Sequence, residues 1–128
     1  MVDEVLKPNV LDPNCGSRRV LDLIADKWTM LVIYVLARGT RRYSQLRREI
    51  EGISHKVLTE TLRRMEQDGL VKRKVYPVVP PKVEYTLTAL GETLMEPLST
   101  LCHWAENHLN EVELARGHYN NQGGVSNQ

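Results

Sequence analysis

Between Ile53 and Tyr76 the apolar and polar positions separate cleanly, and the rest of the chain is read from this stretch. At about 100° per residue, Leu58, Leu62 and Met65 fall on one helical face. Lys56, Thr59, Arg63 and Gln67 fall near the opposite one, with Glu60 beside them. Ser54 suits the cap of this helix, because its hydroxyl can accept an otherwise unpaired amide from the first turn. Ile53 and Leu58 hold the positions of a hydrophobic staple, and Gly69 suits the left-handed residue that ends a helix. One side of the helix therefore buries and the other offers hydrogen-bond donors. Lys72-Arg73-Lys74 follows at once in a basic, strand-like run. A presented helix beside a basic ribbon is a layout for reading DNA, with the helix in the major groove and cations on phosphate. The rival reading of this stretch alone is a core helix with a solvated charged face.

The flanking pattern extends the picture. Residues 1–14 contain Pro8 and Pro13 and no clear period, and are read as an arm. From Ser17, a plausible cap, Val20, Leu21, Ile24 and Ala25 repeat helically. Asp26-Lys27 breaks the run, and WTMLVIYVL follows, almost wholly apolar. That length fits a buried strand or a buried helix. Helix is preferred, because a polar turn precedes it and Gly39 follows it. Gly39 to Tyr43 reads as a basic turn, and Ser44 as the cap of a short helix with Leu46 and Ile50 facing in. With the turn at Glu51-Gly52, Ser44 to Asp68 forms a helix-turn-helix. Leu70–Tyr76 and Val83–Leu87 read as two strands joined by the stiff PVVPPK loop, in which prolines fix φ and remove donors. A hairpin in this place is a wing, spanning about residues 70–87. Thr88 is read as the cap of a last long helix, striped by Leu90, Leu94, Leu98, Leu101, Ala105, Leu109 and Val112. Gly91 and Pro97 should weaken or kink it. Met95, Cys102 and Trp104 widen its apolar surface beyond one contact. The polar tail, 114–128, is read as disordered.

Composition changes this picture in one respect. The chain has 128 residues, enough for one domain with a real core, and a net charge of only +1. That balance looks poor for a nucleic-acid binder, but its distribution does not. Residues 38–82 hold 12 Lys+Arg against 5 Asp+Glu, whereas the remainder holds 5 against 11. A basic working face and an acidic remainder follow. No stretch approaches the roughly 18 apolar residues of a membrane span, and MVDEVLKPNV lacks the apolar segment of a signal peptide. A cytoplasmic protein is expected. Cys15 and Cys102 are too few for a disulfide framework and lack metal spacing. His103 and His108 stand five apart, off the shared face that helical metal ligands need. No phosphate loop or nucleophile elbow is present, so neither an enzyme nor a metal or other cofactor is expected.

The blocks Cys15, DKWTMLVIYVL with Gly39, RYSQLRREIEGIS, KVLTETLRRMEQDGLVKR, YPVVPPKVEYTLTALG and Trp104, in this order and spacing, resemble the HxlR-type transcriptional regulators. These are winged-helix proteins close to the MarR group. The resemblance covers roughly Cys15 to Trp104. It implies a mainly α fold with a small antiparallel hairpin, a winged-helix domain over about residues 15–113, and a homodimer joined through the N- and C-terminal helices. The family often has Pro after the N-terminal Cys, where this chain has Gly16.

The expected partner is double-stranded DNA. Lys56, Thr59 and Arg63 share the exposed stripe: Thr59 can touch a thymine methyl or a base edge, and Arg63 can grip guanine or phosphate. Ser54 and His55 stand at the helix N-terminus, where amides and the dipole favour a phosphate. Arg41 and Arg42 are candidate backbone clamps, and Arg73 and Lys82 candidate wing contacts. Tyr76 and Tyr85 are assigned to hairpin packing. Cys15 stands at the head of a helix, where the dipole can lower a thiol pKa, with Arg18 and Arg19 nearby. In some relatives a Cys matching this position senses oxidants or electrophiles; the bland alternative is an inert core thiol. Cys102 is assigned to the core. Two rivals stand beside a DNA-binding regulator with thiol control at Cys15. One is a winged helix used as a protein-interaction module. The other is a regulator answering a small-molecule effector, with structural cysteines.

Overall fold

The computed structural model describes residues 9–122. In chain order the elements are α1 (Gly16–Ile24), α2 (Lys27–Leu36), β1 (Arg41–Arg42), α3 (Tyr43–Glu49), α4 (His55–Gln67), β2 (Val71–Tyr76), β3 (Lys82–Leu87), α5 (Ala89–Glu92) and α6 (Met95–Asn121). The chain divides into two compact units, residues 1–95 and 96–128.

In the first unit the core takes the apolar run of α2 and the apolar face of α4 as expected, but from α1 it takes Leu23, whereas Val20 and Leu21, read as that helix's repeating apolar positions, are exposed. Val32, Ile33, Val35 and Leu36 of α2 are buried, with Leu23 of α1, Leu46 of α3, and Leu58, Leu62 and Met65 of α4. The apolar run Trp28–Leu36 is a helix. Asp26 starts it, accepting hydrogen bonds from the amides of Trp28 (2.8 Å) and Thr29 (3.3 Å). For α4, Ser54 Oγ accepts from the Val57 amide at 3.1 Å, and Ile53 and Leu58 are both buried. At its other end Gly69 takes φ +77°. The Leu70 amide then reaches back to the Met65 carbonyl (2.8 Å) and the Gly69 amide to that of Glu66 (3.1 Å). This Schellman arrangement satisfies two of the helix's last carbonyls and turns the chain straight into β2.

The sheet has three antiparallel strands in the order β1-β3-β2. β3 is central, with Tyr85 opposite both Arg41 and Arg73, and Glu84 opposite both Arg42 and Lys74. Cations of both neighbouring strands are thus set against a carboxylate, which is a favourable cross-strand pairing. The hairpin is as expected, but β1 is not. The residues read as a basic turn at Arg41-Arg42 carry ladder bonds.

Four local expectations are corrected. The first helix is capped by Cys15 and begins at Gly16, so Ser17 lies inside it. The short helix begins at Tyr43, so Ser44 is internal; the Arg42 amide is satisfied by Gln45 Oε1 at 2.8 Å, a side chain reaching back from the first turn. Thr88 caps α5 rather than the long helix: its hydroxyl accepts from the Gly91 amide (3.0 Å) and donates to the Gly69 carbonyl (2.6 Å). Gly91 does not kink a helix. It lets α5 approach the chain after α4, since a β-carbon there would fall on the Leu70 carbonyl oxygen and 2.9 Å from Leu87 Cδ2.

In the second unit α6 is 27 residues long, and Leu98 is its one buried residue. Pro97 lies in the first turn, where its missing amide costs no intrahelical bond, so no kink is needed. Residues 114–121, expected in a disordered tail, are helical: Gly117 and the Asn pair are tolerated, and the Gln122 amide still bonds the His118 carbonyl at 3.0 Å. Cys102 is exposed, not core, because it lies off the Leu98 position on a helix that buries little. Residues 1–8 of the expected arm and 123–128 of the expected tail lie outside the described residues. Among the described residues no helix is long and apolar enough to cross a membrane.

Candidate nucleic-acid interface

The outer face of α4 is the organising feature. Its inner face is closed by Leu58, Thr61, Leu62 and Met65, which fixes the helix on the core and leaves Lys56, Glu60, Arg63 and Gln67 exposed. Lys56 and Arg63 enter no ion pair among the described residues, so both cations remain available to an external anion. Ser54 satisfies one first-turn amide and leaves those of His55 and Lys56 directed out of the helix end, where the dipole favours negative charge.

Tyr43, the first residue of α3, was not singled out from sequence. Its hydroxyl meets His55 Nδ1 at 2.6 Å, the His55 carbonyl at 3.0 Å and Thr59 Oγ1 at 3.2 Å. Its ring stands edge-on to the imidazole, with centroids 5.2 Å apart. One side chain of the first helix thus holds three groups on the first turns of the second. The signal was weak, because no period links residues 12 and 16 apart; only the helix-turn-helix topology does.

The remaining candidates divide. Arg41 is turned inward, with Nε 2.7 Å from Glu49 Oε2 and Nη1 donating to the carbonyls of Gly39 (3.0 Å) and Thr40 (3.1 Å). It braces the turn before α3, while the neighbouring Arg42 is exposed and outside any ion pair among the described residues. Arg73 on β2 pairs with Glu66 of α4 at 3.4 Å and links the wing to the helix. Together with Thr59, Leu62, Arg63 and Tyr85, that pair lines a groove of 310 Å³. Burial raises the Tyr85 phenol above its ordinary pKa, with the Arg73 charge acting the other way. Lys82 lies 3.5 Å from Glu84, and Lys82 and Lys74 both stand over the Tyr76 ring. Tyr76 also donates to Glu84 at 3.0 Å, which ties it across the hairpin. Val78 and Val79 are exposed at the wing tip.

Cys15 is separate from this surface in sequence. It is partly exposed at the head of α1, and its Sγ accepts the Asn9 amide at 3.2 Å. That bond first, and then the Ser17 amide, hold the thiol below its ordinary pKa, because both stabilise the thiolate. Arg18 contributes through its backbone only in a minor way; its guanidinium is engaged by Asp22 (3.4 Å) and the Val10 carbonyl (3.2 Å). No group of three His, Cys, Asp or Glu side chains able to hold a metal occurs among the described residues.

A helix-turn-helix with a three-stranded wing and a cationic outer helix face is the architecture of a winged-helix transcriptional regulator. The chain belongs to the HxlR-like helix-turn-helix family, which matches residues 23–113. It is 45% identical over 108 residues to YtfH of Escherichia coli K12, an uncharacterised HTH-type transcriptional regulator, covering 84% of this chain and 86% of that one. The solved structure of ytfH from Salmonella typhimurium superposes with a TM-score of 0.80 at 41% identity, covering 87% of this chain and 99% of that one. The redox regulator HypR in its oxidized form gives a TM-score of 0.66 at 40% identity, covering 73% and 96%.

Proposed function

We propose that the winged-helix domain, residues 15–113, binds a pseudo-palindromic operator as a homodimer, with α4 in the major groove of each half-site. The observation that carries this reading is the division of α4 itself. Its apolar side is consumed by the core, and its other side presents Lys56 and Arg63 as cations without an ion-pair partner among the described residues. Thr59 and Arg63 read base edges or adjacent phosphates; Ser54, His55 and Lys56 seat a phosphate at the helix N-terminus. Arg42, Arg73 and Lys82 contact the backbone on either side, and Arg41 acts by holding the turn. Apolar side chains exposed on α1 (Val20, Leu21) and α6 (Leu101, Trp104, Leu109, Leu114) support pairing of the terminal helices of two copies.

The test is operator selection from random duplex DNA, followed by titration at several salt concentrations. Affinity should fall steeply as salt rises, since each phosphate contact releases counterions. A protein-interaction module would show no such slope and no selected sequence. Arg63→Ala should weaken operator binding by about 1–3 kcal/mol with the fold intact.

Thiol control at Cys15 is the regulatory part of the proposal. It is supported by the lowered thiol pKa, the partial exposure and the likeness to a redox regulator. Two recognition helices must stay about 34–36 Å apart to meet successive turns, so modification beside an interface helix can alter DNA affinity. The measurement is operator titration with reduced and peroxide- or quinone-treated protein, beside Cys15→Ser and Cys102→Ser. An undiminished response in Cys15→Ser assigns the signal elsewhere, to a small molecule in the first instance.

A further inference from the structure

We propose that Tyr43 is a specificity-determining residue: it captures the hydroxyl proton of Thr59, so that Thr59 faces the DNA as a hydrogen-bond acceptor only. This rests on α4 being the reading helix. The argument is a count of protons. The Tyr43 hydroxyl has one hydrogen to donate and two lone pairs. It has three neighbours, His55 Nδ1 at 2.6 Å, the His55 carbonyl at 3.0 Å and Thr59 Oγ1 at 3.2 Å. An imidazole nitrogen and a peptide carbonyl are better acceptors than an aliphatic hydroxyl, and both are nearer. The tyrosine proton therefore goes to one or other group of His55. In either case the remaining contact to Thr59 is a hydrogen bond only if Thr59 donates and Tyr43 accepts.

The consequence falls on the DNA side of Thr59. A free threonine hydroxyl can donate or accept and so tolerates every base edge. With its proton held by Tyr43, Thr59 offers lone pairs and a methyl group. Lone pairs suit the amino groups of adenine N6 and cytosine N4; they repel guanine N7 and O6 and thymine O4. The base facing Thr59 is thus selected for an exposed amino group. The surroundings allow this, because Thr59 is half-buried rather than closed off and lines the groove between α4 and the wing beside Arg63. Tyr43 itself need not touch DNA.

The test uses the full chain and a randomised duplex pool. Parent, Tyr43→Phe, Thr59→Val and the double variant are selected in parallel, and each is titrated against the parent's operator over a range of salt. Tyr43→Phe keeps the ring against His55 and removes only the hydroxyl. The expected result is a preference for adenine or cytosine at one position of each half-site in the parent. In Tyr43→Phe that preference should fall roughly three- to tenfold, the worth of one hydrogen bond. Other positions and the salt slope should be unchanged. Thr59→Val should lose the same preference, and the double variant should lose no more than either single one. A merely structural tyrosine would lower affinity for all sequences alike and leave the selected motif intact, which overturns the proposal. So does a parent preference for guanine or thymine at that position. If Arg63→Ala also leaves affinity and motif unchanged, the failure lies deeper, in the assignment of α4 as the reading helix. If Tyr43→Phe does not fold, Thr59→Val alone still decides, since loss of the amino-base preference is required of it.

Discussion

Two helices of this chain treat their apolar residues in opposite ways. α4, with 13 residues, buries Leu58, Thr61, Leu62 and Met65. α6, with 27 residues, buries Leu98 and leaves Leu101, Trp104, Leu109 and Leu114 exposed. The first is held by its own chain, so its other face is free to carry charge toward a ligand. The second has apolar surface that the other described residues leave exposed, and the proposed pairing of two copies would cover it. An apolar stripe in a sequence is therefore ambiguous: it specifies that something must be buried and leaves open whether the partner is the same chain or another.

A matched pair of leucine substitutions breaks or sharpens this comparison, and carries the largest expected effects. Leu58 is fully buried, and Leu58→Ala should cost about 2–5 kcal/mol of unfolding free energy at any protein concentration. Leu101 is 60% exposed in the single chain, and Leu101→Asp should leave the fold formed but shift the protein to monomer in sedimentation. The parent's Tm should rise with concentration, as mass action requires of a dimer, and that dependence should vanish in Leu101→Asp alone. A parent that sediments as a monomer at micromolar concentration would sink the association reading and leave the exposed leucines without a role.

The next effect is smaller and concerns the head of α1. Because the Asn9 and Ser17 amides depress the Cys15 pKa, more thiolate is present at a given pH than in an unstructured cysteine. In a Cys102→Ser background, alkylation of Cys15 by iodoacetamide should reach half its limiting rate at a lower pH than a short cysteine peptide does. Asn9→Pro deletes the amide that stabilises the thiolate most and should move the midpoint back up. Coincident profiles for protein and peptide would remove the electrostatic part of the sensing argument.

What was legible in the sequence follows the same division. The staple at Ile53 and Leu58, the Ser54 cap and the Gly69 stop are local, each set by residues within a turn or two, and all three are present. The exposure of Lys56 and Arg63 was legible for the same reason, whereas Thr59, read with them, is half-buried. Other features depend on contacts distant in sequence. β1 exists because Arg41 and Arg42 find Tyr85 and Glu84, and Gly91 is required by the Leu70 carbonyl. Tyr43 matters through His55 and Thr59, and Arg41 is already engaged by Glu49. Charge pattern alone places a cation in the right region but does not say whether it already has a partner.

The smallest effect tests how completely the first unit's core is satisfied, the property that sets α4 apart from α6. Thr29 is fully buried in α2, and its hydroxyl has no hydrogen-bond partner among the described residues, although its amide is taken by Asp26. A buried hydroxyl without a partner loses its hydration and gains nothing in return. Valine matches threonine in shape and β-branching, and its helix propensity is similar. Thr29→Val should therefore stabilise the protein by about 1 kcal/mol, a rise of roughly 4 °C in Tm. Because Thr29 is on α2 and away from the outer face of α4, operator affinity and motif should not change. Denaturant unfolding of parent and variant, with m held equal, is the measurement. A loss of stability would mean that the hydroxyl has a partner in solution, a bound water being the simplest, and that the core beneath α4 is wetter than its burial suggests.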